Sequence, residues 1–200
     1  MNGFRSLRPH RAAFAGALVL TLSLAACDRA APPEETAPVA AAPSAPPDLT
    51  QGPATATISA DGRTLSVGVP ERSLEETAAK FFNQRADRFD SVAILAQGKR
   101  DDVYQVLVRA EAASDPKRDG GRCRDGREVK LRHLEFDLSS MSMTSSQDLE
   151  SCLRRLRVVA QRRLADGGFE YDLEEIDADG DPSSMYLRYD GKDYGRPAAH

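Results

Sequence analysis

The pattern of apolar residues predicts an α+β domain, a mainly antiparallel sheet packed on one side by two helices, in the order ββαβββαββ. Three observations lead there. Short runs of alternating Val, Ile, Leu and Tyr recur between Gly- and Asp-containing turns, as strands require. Two longer stretches, residues 73–87 and 146–165, carry apolar residues three and four apart, as amphipathic helices do. No clear internal repeat links the segments.

Residues 56–69 read as a hairpin. Ile58 and Ala60 precede Asp61-Gly62, and Leu65, Val67 and Val69 alternate after it. Asp-Gly suits a tight turn because both residues tolerate positive φ. Pro70 ends the second strand. Ser73-Leu74-Glu75-Glu76 has the form of a capping box, with Leu74, Ala78, Phe81 and Phe82 on one face of the first helix. That helix frays near Arg85 to Asp87.

Residues 91–97, SVAILAQ, are apolar on both phases and predict a central strand. Residues 98–101 predict a turn, and 103–110 the return strand. Residues 114–127, rich in Gly, Arg and Asp, predict a loop pinned at Cys123. Residues 128–138 predict a long strand. Its apolar phase switches from Val129 and Leu131 to Leu134, Phe136 and Leu138, which places a bulge near Arg132-His133. Residues 139–146, with Met141 and Met143, predict a polar connection.

The second helix is predicted over residues 146–165, with a stripe of Leu149, Leu153, Leu156, Val159 or Ala160, and Leu164, and Gly167-Gly168 as its stop. Arg154, Arg155, Arg157, Arg162 and Arg163 then point largely away from the stripe and form a solvated basic face. Phe169, Tyr171 and Leu173 alternate with Glu170, Asp172 and Glu174, a half-buried strand with an acidic outer face. Residues 177–182, DADGDP, have the alternating carboxylates of a calcium loop. Pro182 stands where that loop needs glycine, and Arg188 where it needs the bidentate glutamate, so a plain hairpin loop is expected. Met185, Leu187 and Tyr189 mark the last strand.

The N-terminus carries a different signal. Arg5, Arg8 and Arg11 precede an apolar run over residues 12–24, which is too short for the roughly 20 residues of a membrane span. Leu24-Ala25-Ala26-Cys27 closes it. This layout resembles that of bacterial lipoproteins, in which signal peptidase II cuts before a cysteine that is then acylated. The resemblance covers residues 1–27 and says nothing of the fold that follows. It implies that residues 1–26 are a cleaved signal and that Cys27 becomes the mature N-terminus, carrying a diacylglyceryl group and an amide-linked acyl chain such as palmitate. It also implies that a bilayer is a partner. Two or more acyl chains anchor stably where one binds marginally. Asp28 resembles the residue that retains such proteins in the inner membrane, so that membrane is slightly favoured over the outer one.

The expected organisation is a signal at 1–26, a lipidated Cys27 with a disordered Ala/Pro-rich tether to 53, one periplasmic domain at 54–191 and a loose tail at 192–200. The net charge of -4 becomes -7 once the leader's three arginines are removed, which argues against a nucleic-acid partner. Of the three cysteines, Cys27 is taken by lipid. Cys123 and Cys152 form an even pair in an oxidising compartment and are expected to be disulfide-bonded. Neither lies in a CxxC motif, so no metal site and no cofactor are expected. His133 is the one histidine inside the domain, and no nucleophile motif or phosphate loop accompanies it. No catalytic residue is therefore assigned. The expected function is protein binding in the envelope, of an inhibitor or immunity type. The alternatives are a periplasmic envelope hydrolase using His133 or paired carboxylates, and a structural component of an envelope machine.

Overall fold

The structure, a computed structural model, describes residues 46–118, 121, 123–137, 140–192 and 196–197; for Met141, Thr144, Arg196 and Pro197 it describes the backbone only. The signal, Cys27 and the Ala/Pro-rich stretch to residue 45 lie outside the described residues, as does most of the tail. No helix among the described residues is long and apolar enough to cross a membrane.

The predicted α+β class is wrong. The described chain is almost entirely antiparallel sheet: β1 (Thr55–Ile58), β2 (Thr64–Val69), β3 (Arg72–Thr77), one helical turn α1 (Ala78–Phe81), β4 (Ser91–Arg100), β5 (Val103–Ala113), β6 (Arg127–Phe136), β7 (Met141–Ser151), β8 (Leu156–Arg163), β9 (Phe169–Ile176), β10 (Pro182–Asp190) and β11 (Arg196–Pro197). Strands β1–β3 form one small sheet, and β4–β11 follow one another in sequence as a meander.

The first predicted helix fails because the chain reverses just before it. Glu71 takes a left-handed φ of 67° after Pro70, which pairs Val69 with Arg72 and draws residues 72–77 into a strand. The Ser73 box is thus a β segment with Leu74 half-buried and Glu76 buried. Thr77 is the true cap, its hydroxyl accepting from the Lys80 amide at 3.4 Å. The spacing of Ala78, Phe81 and Phe82 is satisfied by that single turn before Asn83 and Gln84, both at positive φ, end it.

The second predicted helix is a hairpin. Residues 141–146, read as a connection, open β7. Arg155 has φ 53° in a four-residue reversal, and Ser151 pairs with Leu156 across it. Leucines at 149 and 156 fit one helical face, but they equally fall on one face of two strands joined this way, and β-branched Val158 and Val159 favour the strand. Val159, assigned to the apolar stripe, is exposed at a bulge in β8. The turn predicted at 98–101 lies at Asp101 and Asp102, which adopt φ 48° and 68° between the paired Arg100 and Val103. The bulge expected in β6 near Arg132-His133 is absent: β6 keeps an unbroken register with β5, and the shift between His133 and Leu134 against β7 puts the extra residue, Thr144, in β7.

Two cores explain why β5 and β6 are buried on both faces. One holds Phe81, Phe82, Phe89, Leu65 and Val67 against Val106, Val108, Leu134 and Phe136. The three phenylalanine rings lie 5.0–5.5 Å apart. The other joins Leu107, Leu131 and Leu149 of β5–β7 to Leu156, Phe169, Tyr171, Leu173 and Tyr189 of β8–β10. The sheet divides where β7 and β8 share a single residue pair, and its two halves face one another across this second core.

Burial pushes the Tyr171 hydroxyl up to about 12, and drives Tyr189, stacked edge-on against it, higher still. A phenol whose folded pKa is raised contributes its full stability below about pH 10 and loses it as pH climbs to the folded value. For Tyr171 this amounts to roughly 3 kcal/mol. Urea midpoints should therefore fall steeply between about pH 10 and 12 in the native protein and less in Tyr171→Phe.

Candidate functional site

The outward face of β8–β10 follows from strand alternation. Phe169, Tyr171 and Leu173 turn inward, so Glu170, Asp172 and Glu174 form an outward column along β9. Register places Arg157 opposite Glu174 and Arg162 opposite Glu170 on one side, and Tyr186 opposite Asp172 and Arg188 opposite Glu170 on the other. The acidic column is thereby flanked by three arginines and a tyrosine. Arg157 reaches Glu174 at 2.6 Å, and Arg162 approaches Glu170 at 3.3 Å and Asp172 at 3.8 Å. Glu170 is the hub: Arg188 lies 3.8 Å away, and the Tyr186 hydroxyl donates to it. That hydrogen bond, ahead of desolvation, raises the Tyr186 phenol.

Exposed ion pairs of this kind add little stability, with a median of about 0–1 kcal/mol each. Their effect is to hold arginine and tyrosine side chains in place on the outward face. Tyr186 is 41% exposed and Val159 60%. Aromatic and arginine side chains are the types enriched at protein interfaces.

The five arginines expected on a basic helix face are spent differently. Arg154 bridges Asp148 and Glu175, both at 2.9 Å, Arg155 donates to the Asp177 carbonyl, and Arg163 donates to the Pro47 carbonyl at 2.9 Å. Only Arg157 and Arg162 belong to the outward lattice.

The expected pairing of Cys123 and Cys152 is present: the two are disulfide-bonded, with Cα atoms 5.8 Å apart. The bridge joins the loop at 114–126 to the β7–β8 turn. Cys27 lies outside the described residues. His133 is fully buried, with Leu107 and Ser145 as its cross-strand neighbours. It lines neither the surface cleft at Pro70 and Asp102 nor that at Gly126 and Cys152. The Asp177 loop closes on itself: one carboxylate oxygen accepts from the amides of Asp179 and Asp181, each at 2.9 Å. Among the described residues no group of three or more His, Cys, Asp or Glu is placed to hold a metal ion.

Sequence reasoning missed a buried ionic cluster on the β6 face that meets α1. Glu76, Glu128, Lys130, Arg132 and Asp148 are all buried. Arg132 pairs with Glu76, donates to the Phe81 carbonyl at 2.9 Å and stacks 4.1 Å from the Phe81 ring centroid. Arg85 meets Glu128 at 3.0 Å and Asp148 at 2.5 Å, while Lys130 lies 3.3 Å from Asp148. Ser114 donates to Glu128 at 2.7 Å. Three acids, Glu76, Glu128 and Asp148, meet Arg85, Lys130 and Arg132 inside, and Lys80 and Arg154 reach Glu76 and Asp148 from the surface, so the charges of the cluster are paired among themselves. The signal was present in the alternation of Glu128, Lys130 and Arg132 opposite an apolar phase, but it reads identically to a solvated face.

Among the surface clefts formed by the described residues, two lie at opposite ends of the strands. One, about 290 Å³, is lined by Pro70, Glu71, Arg72, Lys99, Asp102, Tyr104, Phe136 and Asp137. Lys99 there is bound 2.9 Å from Asp102 and covers the Tyr104 ring at 5.3 Å. The other borders the disulfide at Gly121, Arg124, Asp125, Gly126 and Cys152. Neither collects a nucleophile with a base. Comparison with protein-family models, with curated proteins and with solved structures finds no match to this chain.

Proposed function

We propose that the chain is an envelope lipoprotein, held to a bilayer by acylated Cys27, whose periplasmic domain binds another protein through the outward face of β8–β10. The observation that carries the binding half is that lattice: an outward face on which Arg157, Arg162, Arg188 and Tyr186 are held by fixed acidic partners. The anchoring half rests on Leu24-Ala25-Ala26-Cys27, and the disulfide fits an oxidising compartment. Asp28 favours the inner membrane. The concrete version is an inhibitor or immunity-type protein, whose surface recognises one partner and performs no chemistry.

A photo-crosslinking residue at position 186, in cells, tests the reading. One discrete crosslinked species is expected from Tyr186 and from Arg157, and none from Asp61 at the far side. Cys27→Ala should move the same species from the membrane to the soluble fraction. Absence of any discrete product at 186 and 157 overturns the binding face, and retention of Cys27→Ala on membranes at the usual processed size overturns the anchor.

A structural role in an envelope machine is the second reading, favoured by one observation. Apart from Ser151, β7 has no strand partner on its β8 side among the described residues, and Met143 there is 52% exposed. An open edge invites strand addition. Crosslinks from Ser142 in place of Tyr186 would select it.

A further inference from the structure

We infer that the outward face of β8–β10 takes a cationic side chain, an arginine or lysine of its protein partner, with the charged head on Asp172 and the aliphatic stem lying between Tyr186 and Val159. The inference rests on the binding reading and names the chemistry of the partner.

The three carboxylates of the β9 column are not equally compensated. Glu174 receives Arg157 through two nitrogens, at 3.0 and 2.6 Å. Glu170 has Arg162, Arg188 and the Tyr186 hydroxyl. Asp172, between them, has a single partner among the described residues, one nitrogen of Arg162 at 3.8 Å, and that guanidinium lies closer to Glu170. The Asp172 side chain is 44% exposed. It is the one acid of the column whose charge the face leaves largely to solvent.

Asp172 also lies between apolar walls. Tyr186 of β10 is paired with it directly, and Val159 bulges out beside Ala160, its partner in β8. Among the described residues the exposed large hydrophobic side chains are Met143, Val159 and Tyr186, and two of these three flank this one aspartate. Residues of β8 and β10 stand about 10 Å apart across β9, two strand spacings, which is room for one extended side chain. Lysine and arginine suit the place because their methylenes cover apolar surface while the head seeks a carboxylate. The Tyr186 ring adds attraction for a cation passing over its face. An acidic or neutral side chain would desolvate Asp172 without supplying a counter-charge, a cost that selects against it. The wider field has the same sign. Residues 169–190 hold eight acidic groups and one basic, Arg188. Arg154, Arg157 and Arg162 pair into them from β8 and its turn, and acid remains in excess.

The test uses the full chain in cells, with a photo-crosslinking residue at Ser184, which is exposed and paired with Glu174, so that Tyr186 and Val159 keep their places. The discrete product formed there should fall at least about tenfold in Asp172→Asn and vanish in Asp172→Lys, because a desolvated cation is left unpaired or opposed. Asp172→Glu, which keeps the charge, should retain the product. Urea midpoints of the Asn and Glu variants should stay at the native value, since Asp172 makes one long, exposed ion pair. Mass spectrometry of the product gives the crosslinked position in the partner. Replacing the neighbouring arginine or lysine there by aspartate should restore the product with Asp172→Lys. No discrete product in the native background overturns the binding face and this contact with it. A product that Asp172→Asn and Asp172→Lys leave unchanged keeps the binding face and overturns the cationic contact. Failure of every such partner substitution to restore the product with Asp172→Lys overturns it as well.

Discussion

Asp148→Ala destabilises the domain by about 3–5 kcal/mol at neutral pH, the cost of breaking a buried ion pair from one side. The carboxylate receives Arg85, Lys130 and Arg154 at 2.5, 3.3 and 2.9 Å. Its removal strands Lys130, which is 2% exposed, between Arg85 and Arg132. Burial and those two guanidinium groups already push the Lys130 ammonium down against the single opposing pull of Asp148. For Asp148, burial alone would raise the carboxyl. The Arg85 hydrogen bond, the charges of Lys130 and Arg85, and the Arg154 hydrogen bond outweigh burial and hold it below the ordinary carboxylate range. A carboxylate with a depressed folded pKa contributes stability that is present above its unfolded value, about 3.9, and lost as pH falls through the folded one. Native urea midpoints should therefore decline below about pH 4, and the Asp148→Ala variant should lose that part of the acid dependence. Asp148→Leu combined with Lys130→Met should recover stability relative to either single change, because an apolar pair of similar volume needs no compensation in the interior. A single-variant cost under about 1 kcal/mol would mean that the cluster is wetter than its burial implies.

The ionic cluster also marks where the sequence stopped being legible. Alternation was informative wherever one strand face met water. Phe169, Tyr171 and Leu173 stand against Glu170, Asp172 and Glu174 in the structure as in the pattern. It was uninformative in β6, where Glu128, Lys130 and Arg132 are as buried as Val129 and Leu131, because a second layer covers the polar phase. A sheet enclosed on both sides carries no periodic trace of which polar residues are paired inside. The helix errors have a related cause. Leu149 and Leu156 meet on one side of a hairpin and on one side of a helix alike, and apart from the weak preference of Val158 and Val159 it is the left-handed Arg155 that distinguishes the two. Arginine gives no composition signal for φ > 0, whereas Gly62 after Asp61 did. The attachment of residues 47–54 to the fold was invisible for a third reason. Those residues are polar, proline-bearing and aperiodic, and their hold comes from a backbone amide and carbonyls meeting one glutamine 43 or more residues away. The outward lattice was half-legible: the acidic column was read from β9, but its arginine partners were assigned to a helix.

Replacing Cys123 and Cys152 together by serine costs about 3–4 kcal/mol by the chain-entropy estimate for a closed loop of this length, with a sequence separation of 29. The bridge lies at an otherwise lightly held corner. Cys123 is buried, the Gly126 amide donates back to its carbonyl at 2.9 Å, and the Gly126 carbonyl accepts from Ser114 at 2.9 Å. Ser114 is the residue that steadies Glu128 inside the ionic cluster. Across the bridge, Cys152 begins the turn that positions Arg154 on Asp148 and Glu175. β7 and β8 share one residue pair beside it, so the covalent link does much of the holding that a ladder does elsewhere. Loss of the bridge should therefore show twice. The urea midpoint falls, and amide exchange accelerates first at Ser114, Gly126 and Arg155, whose hydrogen bonds close that corner, while Val106 and Val108 in the central strand keep their protection. Gly126→Ala gives an independent check with both cysteines intact. A methyl there would come within 2.5 Å of the Cys152 Cβ and 2.8 Å of its sulfur, so it forces the two bridged segments apart. The variant should then reproduce the local exchange pattern with the disulfide still formed. Uniform acceleration across the sheet in the serine variant, or no change in Gly126→Ala, would place the bridge's contribution in the unfolded chain alone and remove its role in holding the β7–β8 corner.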